Sequence, residues 1–98
     1  MIAMVWRFEV RDAERSAFER AYGPEGDWAR LFARAEGYRG TELFRAGDGS
    51  YLTLDIWRAR ADFETFLAEH RDAYEALDQE TETLTRCEHR IGEYEVID

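Results

Sequence analysis

Apolar and polar residues alternate along the first ten positions of the chain. Every second residue from Ile2 to Val10 is apolar, whereas Arg7 and Glu9 have the opposite parity. A period of two residues is typical of a β-strand with one buried face. The pattern therefore predicts a first strand from Ile2 to Arg11.

The pattern then changes to a helical period. Asp12 stands where a helix N-cap belongs, and apolar residues follow between positions 17 and 22. The sequence Gly23-Pro24-Glu25-Gly26 predicts the end of this helix, because proline cannot continue it. A second short helix is predicted to begin with Asp27 as its cap and to end at Gly37, in a left-handed C-cap conformation.

Residues 38–46 and 51–57 predict a β-hairpin, joined by the turn sequence Gly47-Asp48-Gly49-Ser50. In the strand from Tyr51 to Trp57, the aliphatic residues at positions 52, 54 and 56 share one face. We expect this aliphatic face to meet the helices, which would leave Tyr51 and Trp57 on the open side of the sheet.

The longest helix is predicted to open at Asp62 and to continue to Leu84 without interruption. Its apolar residues recur with helical spacing, and neither glycine nor proline occurs within it. The last segment, from Arg86 to Ile97, predicts a fourth strand. Its alternation changes parity around Gly92, which indicates a β-bulge.

This order of elements predicts a single α+β domain over residues 1–98. Strand, helix pair, strand, strand, helix and strand form the split β–α–β pattern of ferredoxin-like folds, a four-stranded antiparallel sheet with helices on one face. The opposite face is predicted to carry Ala3, Val5, Tyr51 and Trp57, an unusual surface for a monomer. We therefore expect a homodimer in which two such faces pack together.

Composition excludes several partners. The formal net charge of −9 disfavours binding to nucleic acid or to anionic membranes, and no long apolar run could span a bilayer. The amino-terminal residues do not have the pattern of a signal peptide. With a single cysteine, no internal disulfide can form. A cytoplasmic protein is expected.

No strong catalytic motif occurs, whether a phosphate-binding loop, a dinucleotide-binding fingerprint or a nucleophile elbow. Cys87 and His89 point to the same face of the fourth strand and could begin a metal site. Two ligands do not complete one, so no metal is predicted.

His70 lies on the apolar stripe of the long helix, three residues after Leu67 and four before Tyr74. One interpretation is a core histidine bonded to a backbone carbonyl or to Tyr74. The other is a polar group in an apolar pocket, where its pKa could be tuned for proton transfer. Aromatic residues could form the walls of such a pocket between sheet and helices, or simply the core. These residues are Trp6, Trp28, Phe63, Phe66 and Tyr74.

Several stretches of the chain resemble the antibiotic biosynthesis monooxygenase-like family. The clearest are GYRGTEL at residues 37–43 and the strand ending in Trp57, followed by the helix ADFETFL at residues 61–67. Residues 5–10 and 24–28 add to the resemblance, which covers nearly the whole chain.

The resemblance implies a dimeric α/β barrel built from two ferredoxin-like subunits. Some members oxygenate polycyclic aromatic substrates without metal or flavin, in a cavity between sheet and helices. In those members the substrate carbanion itself activates O₂.

Related haem-degrading members use an asparagine on the first strand, a tryptophan near the end of the third strand and a histidine on the long helix. Here Trp57 resembles that tryptophan, and His70 lies on the corresponding helix. Trp6 stands where the asparagine is found, and an indole cannot supply the paired donor and acceptor of an amide.

Three functional hypotheses follow. The first is a cofactor-independent monooxygenase of a small planar aromatic substrate, with His70 and Tyr74 as the catalytic residues. Its substrate-binding residues would be Trp6, Trp28, Phe63, Phe66 and Trp57. The second is a non-catalytic dimeric module that binds a small hydrophobic ligand or serves a stress or accessory role. The third is haem binding or degradation.

Overall fold

Four antiparallel strands form one sheet in the order β2-β3-β1-β4, with β1 and β3 at its centre. The computed structural model describes residues 1–98. The strands are β1 (Ile2–Val10), β2 (Tyr38–Arg45), β3 (Tyr51–Trp57) and β4 (Thr85–Glu95). The helices are α1 (Arg15–Tyr22), α2 (Asp27–Phe32), α3 (Arg60–Glu69) and α4 (Arg71–Thr81). This arrangement confirms the predicted ferredoxin-like fold.

Short turns join these elements. In the β2–β3 hairpin, the backbone N–H of Ser50 donates to Asp48 Oδ1 at 2.9 Å, and the turn places Gly49 at φ 88°. Glycine populates this left-handed region without steric penalty. In β4, Gly92 pairs with Val5 while Arg90 pairs with Trp6, so one extra residue forms the predicted bulge.

The face assignment of β3 was wrong. In the register of the sheet, Met4 is opposite Asp55 and Trp6 is opposite Thr53, so these residues share the face that packs on the helices. The aliphatic residues of β3, at positions 52, 54 and 56, therefore lie on the open face. Both faces of β3 contain large apolar residues, so its alternation alone could not decide which face is inside.

The predicted helix ends also need correction. Asp12 begins a turn of 3₁₀-helix (Asp12–Glu14) and makes no capping bond, and its carboxylate instead accepts a hydrogen bond from Arg15 at 3.2 Å. Asp27 is the first residue of α2 rather than its cap, and it pairs with Arg30. Gly37 lies beyond the end of α2 and has no positive φ.

The long helix is broken at His70, contrary to prediction. His70 has φ −124° and ψ 29°, outside the helical region, and separates α3 from α4. Its N–H still bonds to the Phe66 carbonyl, and its own carbonyl accepts from the Tyr74 N–H. The break therefore divides the helix at His70 while the backbone hydrogen bonds on both sides continue. None of the helices combines the length and the hydropathy that a membrane span needs.

Aromatic side chains dominate the core between sheet and helices. Trp57 is fully enclosed and packs edge-on against Phe32 and Phe63, with ring centroids at 5.5 and 5.3 Å. Phe66 is 1% exposed and lies 5.7 Å from Trp57. Aromatic pairs at these distances add to the stabilisation from apolar burial. This cluster fixes α2 and α3 onto the carboxyl end of β3.

We predict that Phe66→Ala lowers the free energy of unfolding by about 3–5 kcal/mol, because it removes a buried ring and leaves a cavity. Ile97→Ala is the control, since Ile97 is 82% exposed and its truncation should change stability by less than about 0.5 kcal/mol. Urea unfolding measures both. Equal effects of the two substitutions would contradict this description of the core.

Candidate functional site

A cavity of about 70 Å³ lies between the helix-facing side of the sheet and helices α1, α2 and α4. Most of its wall is aromatic. The rings come from two central-strand residues and four helix residues, namely Trp6, Phe8, Tyr22, Trp28, Phe32 and Tyr74. The cavity is small beside the roughly 300–1,000 Å³ of drug-sized ligand sites. It therefore suits a compact planar molecule.

Asp55 contributes a carboxylate to this aromatic cavity. The Thr41 hydroxyl lies 2.7 Å from Asp55 Oδ1 and 2.6 Å from the Tyr38 hydroxyl. Because Thr41 has a single hydroxyl proton, donation to an ionised Asp55 requires Tyr38 to donate to Thr41. Asp55 Oδ2 makes no hydrogen bond and retains accessible surface, so it can reach a molecule in the cavity.

Burial raises the pKa of Asp55 to about 6, and the hydrogen bond from Thr41 opposes this rise only in part. The packed protein around the carboxyl group takes away the water that stabilises its charged form. A carboxylate with a pKa near neutrality is a stronger base than an exposed aspartate and is still mostly ionised at pH 7. The position and pKa of Asp55 together suit a general base.

Two further carboxyl groups line the cavity, those of Asp78 on α4 and Glu88 on β4, and no basic residue does. Partial burial, followed by the charge of Asp78, raises the pKa of Glu88. The negative potential of these groups disfavours an anionic ligand and tolerates a neutral or cationic one.

The tyrosines of the cavity are donors rather than bases. Burial raises the pKa of Tyr22 to about 12, and its hydroxyl donates to Thr81 Oγ1 at 3.2 Å. Burial, with the charges of Asp78 and Glu88, also raises the pKa of Tyr74. The Tyr74 ring lies 5.1 Å from that of Trp28, in an edge-to-face contact. Its hydroxyl remains protonated near neutral pH and can donate to a ligand oxygen.

Trp28 brings an unsatisfied donor to the site. Its Nε1 is buried and has no hydrogen-bond partner, a feature shared with Trp57 Nε1. Leaving such a donor unpaired costs about 1–3 kcal/mol. Trp28 lines the cavity and Trp57 does not, but Trp28 Nε1 has no accessible surface, so its ring rather than its N–H faces a molecule in the cavity.

The structure brings together three of the seven residues singled out from the sequence. Trp6, Trp28 and Tyr74 line the cavity. The other four lie elsewhere: Phe63, Phe66 and Trp57 pack in the adjacent core, and His70 packs at a tilt against Phe66 with ring centroids at 5.3 Å. A shallow surface depression over residues 68–73 includes His70, outside the cavity.

Asp55 was missed in the sequence because β3 was given the opposite orientation. It alternates with Tyr51, Thr53 and Trp57, and the first and last of these are at most 2% exposed. The signal that could have found it was the pair of bulky aromatic residues at both ends of its face. If that face of β3 is assigned to the helix side, Asp55 is predicted to be a buried carboxylate.

The raised pKa of Asp55 predicts a measurable pH dependence of stability. The folded protein holds a proton more tightly than the unfolded chain, whose aspartate has its ordinary pKa of about 3.9. The contribution of Asp55 to stability therefore falls as pH rises from about 4 to 6, and this loss persists above pH 6. Asp55→Asn should abolish this dependence and stabilise the protein by about 2 kcal/mol at pH 7 relative to wild type.

Urea unfolding between pH 4 and pH 8 tests this prediction, with the exposed residue Glu80 changed to Gln as the control. The control should retain the wild-type pH dependence. An unchanged profile in Asp55→Asn would mean that this carboxyl group is not desolvated.

Known protein structures were compared with this fold. SnoaB, a cofactor-independent oxygenase from Streptomyces nogalater, is 24% identical, with a TM-score of 0.72 over 99% of this chain and 93% of that chain. A Nitrosomonas europaea protein assigned to the antibiotic biosynthesis monooxygenases is 12% identical, with a TM-score of 0.70 over the whole of both chains. An MhuD variant with two manganese protoporphyrin IX molecules bound per active site is 17% identical, with a TM-score of 0.72 over 99% of this chain and 95% of that chain.

No protein-family model and no curated protein sequence matches the chain. At identities below one quarter, the structural likeness establishes a shared fold and leaves the reaction open. The structural neighbours agree with the resemblance seen in the sequence. The chain has the ferredoxin-like fold of the antibiotic biosynthesis monooxygenase-like proteins.

Proposed function

We propose that the protein is a monooxygenase that inserts one atom of O₂ into a small, hydroxylated planar aromatic molecule. The observation that carries this proposal is the Asp55 carboxylate, which faces an aromatic-walled cavity with one oxygen free. An apolar site with a few placed polar groups is the usual form of a small-molecule site.

The reaction oxidises a ring CH₂ group of the keto tautomer to a carbonyl. Asp55 Oδ2 removes the acidic proton, and the resulting carbanion reduces O₂ and forms a C–O bond. Asp55 returns its proton to the peroxide, the O–O bond then breaks, and the second ring proton leaves with hydroxide as water. In sum, R₂CH₂ and O₂ give R₂C=O and H₂O, and the substrate supplies the four electrons that O₂ accepts.

The cavity residues divide the remaining tasks. The rings of Trp6 and Trp28 would hold a planar substrate by stacking and edge contacts. The Tyr74 hydroxyl would donate to the substrate oxygen, where negative charge develops after proton removal. The Tyr38–Thr41 hydrogen-bond chain orients Asp55.

Charge and size narrow the substrate class. Three carboxyl groups without a basic partner disfavour substrates that carry a carboxylate, and a small cavity favours one or two fused rings. The same features disfavour haem, a large dianionic ligand. The ligand proposed for this protein therefore differs from the manganese protoporphyrin IX bound by the MhuD variant.

Oxygen uptake tests the proposed reaction with 1-naphthol as the substrate and 1-hydroxy-2-naphthoate as the anionic comparison. We expect 1-naphthol to give 1,4-naphthoquinone and the carboxylated analogue to react poorly. Asp55→Asn should lower kcat by about 100-fold or more with little change in KM, because the base acts only as the proton moves.

His70→Ala is the matched control, since His70 lies outside the cavity, and its kcat should equal that of wild type. Full activity in Asp55→Asn would contradict the assignment of the base. Quenching of tryptophan fluorescence by 1-naphthol without oxygen uptake would favour the alternative, a non-catalytic module that binds a small hydrophobic ligand.

We also propose that two copies of the chain pack through their open sheet faces. Leu52, Leu54 and Ile56 lie on that face of β3, beside Ala3 and Val5 of β1. On the outer strands, Phe44 and Tyr94 are 48% and 51% exposed on the same face. Large apolar side chains exposed on one sheet face are typical of an interface, and an identical self-complementary patch favours a twofold dimer.

Leu52→Asp should therefore convert the dimer to a monomer, because packing would bury an unpaired charge. Sedimentation equilibrium at micromolar concentration measures the change, and Ser16→Asp on the exposed side of α1 is the control. A wild-type chain that sediments only as a monomer would contradict the proposed dimer.

A further inference from the structure

Three side chains with metal-ligating atoms meet on the open face of the sheet, away from the aromatic cavity. Glu9 of β1 is directly opposite Cys87 of β4 in the strand register, and His89 follows two residues along the same strand. Their ligand atoms all lie within 4.8 Å of one another. The sequence places Cys87 and His89 on one face but gives no indication that Glu9 completes the group.

The distances in this cluster are close to those of a bound divalent ion. Cys87 Sγ lies 3.2 Å from His89 Nε2, and His89 Nε2 lies 4.0 Å from Glu9 Oε2. Ligands arranged tetrahedrally around zinc, at about 2.0–2.3 Å from it, are about 3.3–3.6 Å apart. Small side-chain rotations therefore suffice to bring all three donors onto one ion.

The backbone holds the three donors at fixed spacing. All three residues belong to paired strands, and a second register irregularity lies between Glu9 and Val10, beside the cluster. Bulges of this kind redirect neighbouring side chains. In the single chain, Glu9 and His89 keep 45% and 53% of their side-chain surface exposed. Glu9 and Cys87 lie at the end of the open face, beyond Leu52 and the other apolar residues proposed to pair in a dimer, so an ion and a coordinating water can enter from that end.

Arg7 is the basic residue in direct contact with Glu9 and opposes a cation there. Its guanidinium lies 3.3 Å from Glu9 Oε2, but it also lies 3.6 Å from Asp48 Oδ2. Asp48 offers Arg7 an alternative partner, so Glu9 can change from the arginine to an ion without leaving Arg7 unpaired. Exposed pairs of this type contribute little to stability.

We propose that Glu9, Cys87 and His89 form a binding site for a zinc-type divalent ion, with water as the fourth ligand. A thiolate, an imidazole and a carboxylate are all ligands that zinc accepts, and three protein ligands with an open fourth position form a recurrent arrangement. This site is independent of the proposed oxygenase reaction.

Titration of the full-length protein with Co²⁺ under a phosphine reductant tests the proposal, followed by displacement with Zn²⁺. We expect one equivalent per chain, a thiolate-to-cobalt charge-transfer band and visible bands of tetrahedral intensity. Cys87→Ser should abolish the charge-transfer band, and Glu9→Gln should weaken Co²⁺ binding by about 10-fold or more.

Two further variants distinguish a specific Co²⁺ site from weak, nonspecific Co²⁺ binding. Arg7→Gln should tighten Co²⁺ binding several-fold, because it removes the competing cation, and His70→Gln should leave binding unchanged. Absence of the thiolate band at micromolar Co²⁺ would overturn the proposal, as would binding that is equally tight in Cys87→Ser.

Discussion

A β-sheet sends alternate side chains to opposite faces, and in this protein both faces of the central strands carry large apolar residues. Helices cover one face only, and the rest of the structure depends on which set of residues they cover. The register places Trp6 with Thr53 and Met4 with Asp55 beneath the helices. That choice puts a carboxylate inside the molecule and leaves an aliphatic surface outside it.

The packing of aromatic rings between sheet and helices forms the cavity walls and also buries the Asp55 carboxylate. Fully enclosed rings such as Phe18 and Trp57 fix the helices on the sheet on either side of the cavity, so that it stays open above Asp55. Burial removes the water that would stabilise the charge of Asp55 and so raises its pKa, and no basic residue lines the cavity to offset that charge. In the proposed reaction, the same absence would favour a neutral substrate.

Much of the fold was predictable because local signals agreed with it. The alternation in β1, the turn at residues 47–50 and the parity change at Gly92 each have a local physical cause, and the structure confirms all three. The break at His70 has no such signal, since neither glycine nor proline marks it. The orientation of β3 and the meeting of Glu9 with Cys87 depend on strand register, which a single sequence does not specify.

The central claim is that Asp55 lies desolvated in the cavity with a carboxyl group able to exchange a proton near neutral pH. Carbon-13 NMR titration of the aspartate carboxyl groups, assigned by comparison with Asp55→Asn, measures this directly. The account predicts one aspartate signal that titrates near pH 6 and is missing from the variant. If the signal assigned to Asp55 titrates near pH 4, with the other aspartates, the account is contradicted.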